Sequence, residues 1–549
     1  MGRTRVAVVA LLAVLSTGAC GSAGSEGRPR FQRLTILHTS DLHGHVFPDR
    51  NGEGSLLQVA SLVASVGGEV HHPLLVFDSG DAIQGTPLEQ LTHVRWGEPS
   101  PTVSVMNRIG YSAMAVGNHE LNFGREVLDR ALRQAEFPFL SANIIDRDRD
   151  APAFPPYLVL EAGAVRVGVL GLTTPDIPSW ERPEHYRGLD FQAMDRAARH
   201  WVQVLRQEQR CDLVVVLAHT GFERHPTSGL ESGTAGDDFG WRLSQVPGID
   251  LLLTGHTHDD IAPVLANGVV VSQPACCGRL VTRIDLELAR KPGGWRVVRW
   301  EGRNLPVAGL APDEGLMAEL AAVAARVDRE LERPVGHCTA PVSVDRCLVE
   351  DCAALDLVHR VQLEASGAQL SMASRLSGRT PPLAAGSVNW RWVHDLYVYP
   401  NVLVMVRVSG AQVRDLLEHT ARFYDGLECS ASERCEVLTD RLIAHYNTDS
   451  MAGVSYRIDP TRPEGQRVRD LRYQGAEVAL DASFTLVVNN YRAAGGGGFP
   501  HLAKARRIWQ SEGEVTELIG EYLSRHDPWT AQVDGNWRVA PDPPLSEAR

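Results

Sequence analysis

Five short segments of the chain each end an apolar run with side chains that bind metal ions. In chain order they are SDLHGH (Ser40–His45), SGDAIQG (Ser79–Gly85), GNHE (Gly117–Glu120), AHTG (Ala218–Gly221) and GHTH (Gly255–His258). A short apolar run bounded by turn residues is typical of a buried strand. No single segment is decisive, but their recurrence predicts a site for more than one metal ion at the ends of neighbouring strands.

Buried strands alternate with amphipathic helices between Leu34 and about Leu305. Because loops at the carboxyl ends of such strands converge, the metal-type residues that follow them are expected to meet. The alternation predicts an α/β sheet layered with helices. The predicted strands are Leu34–Leu37, Leu74–Phe77, Ala113–Val116, Val165–Leu172, Leu213–Leu217, Ile249–Thr254 and Gly268–Ser272, and the clearest helices are Arg125–Gln134 and Asp195–Gln209.

A chain of 549 residues is too long for one ordinary core, so at least two domains are expected. The Ala-rich stretch Pro312–Arg333 is predicted to be a connector helix ended by Pro334. The predicted organisation is an export signal at 1–20, a tether at 21–32, a first domain at 33–310, the connector at 311–334 and a second domain at 335–540. In the second domain we predict strands at Val402–Val408 and Phe484–Val488 and helices at Ala411–Phe423 and Glu512–Ser524.

The first twenty residues have the pattern of an export signal. Arg3 and Arg5 precede the apolar run Val6–Leu15, which is shorter than the roughly 20 residues that span a bilayer. The stretch Thr17–Cys20 resembles a bacterial lipobox, although Thr17 stands where an aliphatic residue is usual. The expected location is therefore extracytoplasmic. The protein is either secreted or held on the outer face of a bacterial membrane by a lipid on Cys20, its one expected membrane contact.

The net charge of −13 argues against a nucleic-acid duplex as partner, because no basic stripe is present to release counterions. Small phosphate esters remain compatible with this charge, since bound metal ions supply local positive charge. The expected partner is a small-molecule nucleotide, and the expected state is a monomer.

Eight cysteines besides Cys20 in an exported chain permit disulfides. One pair among Cys338, Cys347 and Cys352 is expected, and Cys429 with Cys435 would close a polar loop.

The five segments supply seven side chains that suit a two-metal site. Two divalent ions about 3.5–4 Å apart clamp the attacking and leaving oxygens of a phosphoryl transfer. Asp41 and His43 are two residues apart, as are His256 and His258, so each pair can face one way from a strand end. Mixed nitrogen and oxygen ligation suits zinc, manganese, iron or cobalt rather than calcium. The predicted ligands are Asp41, His43, Asp81, Asn118, His219, His256 and His258.

Together the five segments resemble the calcineurin-like metallophosphoesterase family, and the second half is similar to the 5′-nucleotidase C-terminal domain. This resemblance implies a layered α/β metallophosphoesterase sandwich, a connector helix and an α+β substrate-binding domain. It implies that Asp81 bridges two metal ions, and that His119 contacts the phosphate to stabilise the transition state or protonate the leaving group. One ion would be held by Asp41, His43, Asp81 and His258, and the other by Asp81, Asn118, His219 and His256.

Three segments of the second domain look most like the 2′,3′-cyclic-nucleotide 2′-phosphodiesterase/3′-nucleotidase branch. They are DLYVYPN (Asp395–Asn401), YNTDSMAGVSYRID (Tyr446–Asp459) and NNYRAAGGGGFP (Asn489–Pro500). By this resemblance Tyr399 and Tyr491 sandwich the nucleobase, although Tyr397, Tyr446 and Tyr456 are nearby alternatives. In the first domain Asn122 stands where many 5′-nucleotidases have an Asp that pairs with the catalytic His.

The resemblance breaks at SMASRL (Ser371–Leu376), where 5′-nucleotidases have an Asn/Gly-rich loop ending in Arg. Arg375 and Arg379 are the remaining candidates for anion contacts there. The sequence therefore predicts an exported two-metal hydrolase of cyclic and 3′-nucleotides. Three alternatives stay open: a 5′-nucleotidase or nucleotide-sugar hydrolase, a phosphatase of non-nucleotide esters, and a surface binding lipoprotein that has lost catalysis.

Overall fold

The first domain packs two six-stranded sheets face to face. The computed structural model describes residues 31–48, 52–231, 237–344, 346–378, 380–425, 427 and 445–541. One sheet has the order Gly294–Pro306, Leu280–Lys291, Phe31–Thr39, Leu74–Asp78, Ala113–Ala115 and Phe139–Leu140. The other has the order Asp260–Ala266, Val269–Pro274, Leu251–Thr254, Leu213–His219, Val165–Thr173 and Tyr157–Ala162.

Three apolar layers hold this sandwich together. Strands such as Leu213–His219 are buried along their whole length, because one face meets the other sheet and the opposite face meets helices. The inner layer includes Ile36, Phe77, Leu217 and Leu253. The main covering helices are Leu56–Glu69, Pro101–Ile109, Gly124–Gln134 and Met194–Gln203. The predicted layered α/β architecture is confirmed.

A helix at Glu314–Leu331 follows the first domain. The Asp313 side chain accepts a hydrogen bond from the backbone N–H of Leu316 and caps the start of this helix. The predicted helix, Pro312–Arg333, is two residues too long at each end. In two other predicted helices, the last residues form a different type of helical turn. Met194–Gln203 continues as a wider π-helical turn, Val204–Glu208, and Gly410–Ala421 ends in a 3-10 turn at Arg422–Tyr424.

The second domain is an α+β unit built on two antiparallel-rich sheets. The larger has the order Asp449–Ala452, Leu370–Ser374, Ser483–Asn489, Val402–Ser409 and Arg507–Glu514, and the smaller Ala476–Glu477, Val468–Tyr473, Val454–Ile458 and Trp537–Val539. Its main helices are Ala353–Ser366, Trp390–Leu396, Gly410–Ala421 and Val515–Arg525. A two-stranded sheet pairs Pro334–Cys338 with Gly386–Asn389. A three-stranded sheet in the first half of the chain has the order Ala151–Pro152, Ile144–Asp146 and Leu189–Phe191.

One predicted element of the second domain starts in the wrong place. The stretch predicted as the helix Glu512–Ser524 begins as the end of a strand, and the helix itself is Val515–Arg525. Glu514 and Glu517 form a reciprocal capping box, which fixes the helix start after Glu514. A disulfide joins Cys347 to Cys352, which confirms one pair among the three cysteines considered. Cys20, Cys429 and Cys435 lie outside the described residues. Among the described helices, we find none with the length and apolar character needed to cross a membrane.

Candidate metal centre and nucleoside pocket

Six of the seven predicted ligands come together as two compact groups where strands of both sheets end. The first ligand group is Asp41, His43 and His258, and the second is Asp81, His219 and His256. Within each group the ligand atoms lie within 4.8 Å of one another. The seventh residue, Asn118, places its Oδ1 2.9 Å from His219 Nε2 and 3.0 Å from His256 Nδ1. We call these seven residues the candidate metal centre.

The loops that carry the ligands are tied to one another through the backbone. The backbone N–H of Asp41 donates to the carbonyl of Gly80 (2.9 Å), and that of His43 donates to Asp81 (2.9 Å). The N–H of His256 donates to the Asp41 carboxylate at 3.0 Å. Five of the seven ligands adopt positive φ angles, namely Asp41 (52°), His43 (48°), Asp81 (62°), His256 (75°) and His258 (61°). Such angles turn the chain sharply and are uncommon for residues other than glycine.

A buried glutamate that sequence reasoning passed over holds the Asp81 loop in place. Glu120 is 1% exposed, and its carboxylate accepts hydrogen bonds from the N–H groups of Gly117, Asp81 and Ala82 at 2.7–2.8 Å. Gly117 is required here, since a Cβ at this position would lie 2.2 Å from Asp81 Oδ1. In the sequence, Glu120 is marked only by its position at the end of the third segment. That position does not predict hydrogen bonds from its carboxylate to backbone N–H groups.

The hydrogen bonds of the imidazoles fit metal ions in the centre. Histidine ligands usually donate the second ring N–H to a carbonyl, which leaves the other nitrogen free to bind metal. His219 Nδ1 lies 2.8 Å from the carbonyl of Ser79, and His43 Nδ1 lies 3.0 Å from that of Gln84. With those N–H groups engaged, His219 Nε2 faces the acceptor atoms Asn118 Oδ1 and Asp81 Oδ2 at 2.9 and 3.0 Å. Acceptors facing acceptors call for a cation between them.

The electrostatics of the centre also favour added positive charge. Burial alone would lower the pKa of His219, but the Asp81 and Asp41 carboxylates raise it to about 10. Burial would raise the pKa of Asp81, yet His219 and His119 hold it well below its usual range. Burial, reinforced by His219, lowers the pKa of His256 to about 3. The candidate centre therefore contains ionised carboxylates beside a neutral His256, and the proton held by His219 is one that a divalent ion would displace.

His119 lies at the edge of the second ligand group. Its backbone N–H donates to Asp81 Oδ1 at 2.8 Å, and its ring Nε2 is 3.8 Å from Asp81 Oδ2. Its Nδ1 is 2.5 Å from Asn122 Oδ1. The ring is only partly buried, with 25% of the side chain exposed.

Three tyrosines of the second domain act electrostatically on one another. Burial raises the pKa of Tyr399, and Tyr446 and Tyr491 raise it further. Burial, then Tyr491, raises the pKa of Tyr446 to about 12. We call Tyr399, Tyr446 and Tyr491 the tyrosine cluster. Tyr397 and Tyr456 are buried in the cores of the second domain instead.

A pair of adjacent cysteines interacts with both the Asp41 loop of the candidate metal centre and Tyr399. Cys276 and Cys277 act electrostatically on Tyr399, and the backbone N–H of Cys277 donates to the carbonyl of Asp41 at 2.8 Å. The two sulfur atoms are 2.7 Å apart, with Arg279 Nη2 3.2 Å from Cys276 Sγ. Sequence reasoning assigned no role to this pair, and in the structure it is hydrogen-bonded to the Asp41 loop and acts on Tyr399.

Arg492 contacts two members of the tyrosine cluster, Tyr446 and Tyr491, and was not singled out from the sequence. It is fully buried and paired with Asp449 at 2.8 Å. Its guanidinium also donates to the carbonyls of Tyr446 (2.5 Å) and Gly496 (3.1 Å). A Cβ at Gly496 would lie 2.4 Å from the Tyr491 ring, so a glycine is needed beside that ring. The glycine run is therefore packed against the Tyr491 ring.

Of the two arginines predicted to contact anions, the structure describes only Arg375. The Arg375 guanidinium donates to the carbonyls of Ser377 (3.2 Å) and Gly378 (3.3 Å) in its own loop. Arg379 lies outside the described residues.

Comparison with known proteins agrees with this two-domain organisation. The calcineurin-like phosphoesterase model matches residues 34–260, and the 5′-nucleotidase C-terminal domain model matches residues 334–504. A 2′,3′-cyclic-nucleotide 2′-phosphodiesterase/3′-nucleotidase of Salmonella typhimurium is 28% identical, over 92% of this chain and 89% of its own length. A 5′-nucleotidase of Vibrio cholerae is 24% identical, over 93% of this chain and 92% of its own.

A solved structure from Staphylococcus aureus, assigned as a 5′-nucleotidase and bound to alpha-ketoglutarate, shares 26% identity and superimposes with a TM-score of 0.82. It covers 92% of this chain and 100% of its own. The similarity thus extends over both domains and the connector between them. The chain is a metal-dependent phosphoester hydrolase in which a calcineurin-like phosphoesterase domain precedes a 5′-nucleotidase C-terminal domain.

Proposed function

We propose that this protein hydrolyses 2′,3′-cyclic nucleotides to 3′-nucleotides and then removes the 3′-phosphate. The observation that carries the proposal is the convergence of metal-binding side chains in the candidate metal centre, together with three interacting tyrosines in the second domain. The first feature suits a phosphoester and the second suits a nucleobase. Similarity to a cyclic phosphodiesterase over nearly the whole chain supports the same substrate class.

The seven ligands would hold two divalent ions, with Asp81 shared between them. Asp81 suits that role because its two carboxylate oxygens face different neighbours: Oδ1 accepts from the His119 backbone, and Oδ2 lies 3.0 Å from His219. Such ions stabilise the charge on the phosphoryl oxygens and lower the pKa of bound water to about 7. We propose zinc, manganese, iron or cobalt as the metal, because the ligands mix imidazole nitrogen with carboxylate and amide oxygen.

His119 would contact the phosphate from the side of the second ligand group. Its Nδ1 is engaged by Asn122, which leaves Nε2 directed toward the centre. From there the ring can donate a hydrogen bond to a phosphoryl oxygen or a proton to the leaving oxygen. Tyr399 and Tyr491 would stack on the base, which on aromatic rings contributes about 1–3 kcal/mol per base. Tyr446 is a third ring at the same pocket.

We further propose that the protein works outside the cytoplasm, as a monomer. The extracytoplasmic location is supported by the signal-like sequence of the first twenty residues. Lipidation of Cys20 belongs to the same proposal, and mass analysis of the mature N-terminus tests it.

The decisive experiment compares turnover of 2′,3′-cyclic AMP, 3′-AMP and 5′-AMP in the presence of Mn²⁺. The cyclic substrate is followed by chromatography of the 3′-nucleotide, because ring opening releases no phosphate. We expect the first two substrates to be preferred. Preference for 5′-AMP would make the protein a 5′-nucleotidase with the same metal centre. No turnover of any nucleotide would overturn the proposal and favour the non-nucleotide or binding alternatives.

The tyrosine cluster is tested separately with Tyr491→Ala. Loss of about 1–3 kcal/mol of stacking should raise KM for 2′,3′-cyclic AMP roughly 5- to 150-fold. Hydrolysis of bis(p-nitrophenyl) phosphate, which has no base, should stay within threefold. Tyr473→Ala is the matched control, since Tyr473 lies in the smaller sheet of the second domain. Equal loss on both substrates would contradict a role in base binding.

A further inference from the structure

A chain of hydrogen bonds extends behind His119, away from the metal centre. His119 Nδ1 is 2.5 Å from Asn122 Oδ1, and Asn122 Nδ2 is 2.5 Å from Glu181 Oε2. The other oxygen of Glu181, Oε1, accepts from the backbone N–H of Arg182 (2.7 Å) and lies 2.8 Å from His185 Nδ1. The Glu181 side chain is only 8% exposed. We call His119, Asn122 and Glu181 the relay.

The chemistry of an amide between an imidazole and a carboxylate fixes the direction of the relay. An ionised carboxylate only accepts hydrogen bonds, whereas an asparagine side chain has one donating and one accepting end. Because Glu181 faces Asn122, the NH₂ group of Asn122 must point to it, and the carbonyl must point to His119. The Nδ1 of His119 must then carry a proton, so Nε2 is the nitrogen left for the metal centre.

We propose that Glu181 is a positioning residue that sets the orientation of Asn122 and, through it, the ring and tautomer of His119. The proposal rests on the role given to His119 in the proposed function. Glu181 reaches His119 through Asn122, which lies between them in the hydrogen-bond chain.

The place of Glu181 in the fold links the relay to the nucleoside side of the protein. The backbone N–H of Glu181 donates to Ile177 and closes the short helix Ile177–Trp180. That helix contacts the second-domain helix Asn490–Ala493, which carries Tyr491. The segment that orients His119 therefore packs against the segment that would hold the base.

Exchanging the two functional groups tests the relay directly. Asn122→Asp places two carboxylates face to face, and Glu181→Gln places two NH₂ groups face to face or leaves the N–H donors of Arg182 and His185 without an acceptor. The double variant Asn122→Asp/Glu181→Gln restores every pairing: the new carboxylate accepts from His119, and the new amide donates to it. Glu184→Gln, an exposed carboxylate three residues away, is the matched control.

We expect each single variant to lower kcat on 3′-AMP by about tenfold or more, as loss of an outer hydrogen-bond partner typically does. The double variant should recover to within about threefold of the wild type, and Glu184→Gln should match the wild type. Metal content, measured by plasma mass spectrometry, and KM should stay unchanged in all four variants. A role confined to folding would shift stability instead and would give no recovery in the double variant.

The same five proteins are also assayed on bis(p-nitrophenyl) phosphate, so that two failures can be told apart. If the wild type turns over neither substrate, the proposed function fails. If the wild type is active but the double variant is no better than the worse single variant, the relay is wrong. Wild-type kcat in Glu181→Gln would also overturn it.

Discussion

Among the described residues, two of the clusters that bring three ionisable groups within 4.8 Å of one another behave in opposite ways. In the second ligand group of the first domain, Asp81 lies between His219 and His256. In the second domain the cluster is made of carboxylates alone, Asp351, Asp356 and Asp534. Burial and the neighbouring Asp351 raise the pKa of Asp356 to about 7, whereas the imidazoles hold the pKa of Asp81 well below its usual range.

The difference shows that burial alone does not decide whether a carboxylate is ready to bind metal. Burial disfavours the charged form in both clusters. Imidazoles supply compensating charge in the metal centre, while like charges add to the penalty in the second domain. The backbone N–H groups of Asp534 and Gly535 donate to Asp356 and Asp351 at 2.9 and 2.7 Å, which offsets only part of it. The same residue type is thus ionised beside imidazoles in one domain and disfavoured in its charged form beside carboxylates in the other.

The largest expected effect comes from removing one charge in each cluster. Asp81→Asn should lower kcat about 1000-fold with loss of bound metal, because metal ions contribute several kcal/mol of transition-state stabilisation and each 1.36 kcal/mol is tenfold in rate. Asp356→Asn makes the same chemical change in the second domain and should leave kcat within twofold. The checks are steady-state kinetics and metal analysis. An Asp81→Asn protein with full metal and activity within tenfold of the wild type would refute the assignment of Asp81.

Metal removal should have an intermediate effect that is confined to the first cluster. A ligand that binds only the folded state at 100 times its Kd stabilises it by about 2.7 kcal/mol, so chelation should lower the Tm by roughly 5–10 °C. Added Mn²⁺ should restore the Tm of the wild type and of Asp356→Asn, but not that of Asp81→Asn. Differential scanning fluorimetry measures this. An equal response in all three proteins would place the metal elsewhere.

The smallest expected effect is a pH-dependent gain in stability. The folded pKa of Asp356, about 7, lies above the ordinary aspartate value of 3.8, so the folded state binds more protons between these pH values. Stability therefore falls as pH rises through this window. Asp356→Asn removes the buried charge and should raise the Tm by about 2–4 °C at pH 8, with no gain at pH 4. Thermal melts at both pH values test the sign, and a gain only at pH 4 would reverse the interpretation.

The fold class and the set of converging residues were accessible from the sequence because both depend on local patterns. Apolar runs marked the strands, and Asp41, Asp81 and His256 follow them directly. The supporting residues were not accessible. Glu120, Glu181 and Arg492 act through backbone carbonyls, backbone N–H groups and a neighbour such as Asn122, and those partners are brought together only by the tertiary structure. The start of the helix Val515–Arg525 was missed for a local reason, the capping box at Glu514.

The left-handed backbone at Asp41, His43, Asp81, His256 and His258 limits how this centre can change over evolutionary time. Each of these residues holds a conformation that β-branched side chains avoid and that glycine and asparagine tolerate. The hydrogen-bonded loops impose that conformation whether or not the side chain binds anything. In a lineage that abandoned catalysis on this scaffold, decay at these five positions should favour glycine and asparagine over valine or isoleucine. Glycine and asparagine at these positions would then mark a descendant that kept the fold and lost the reaction.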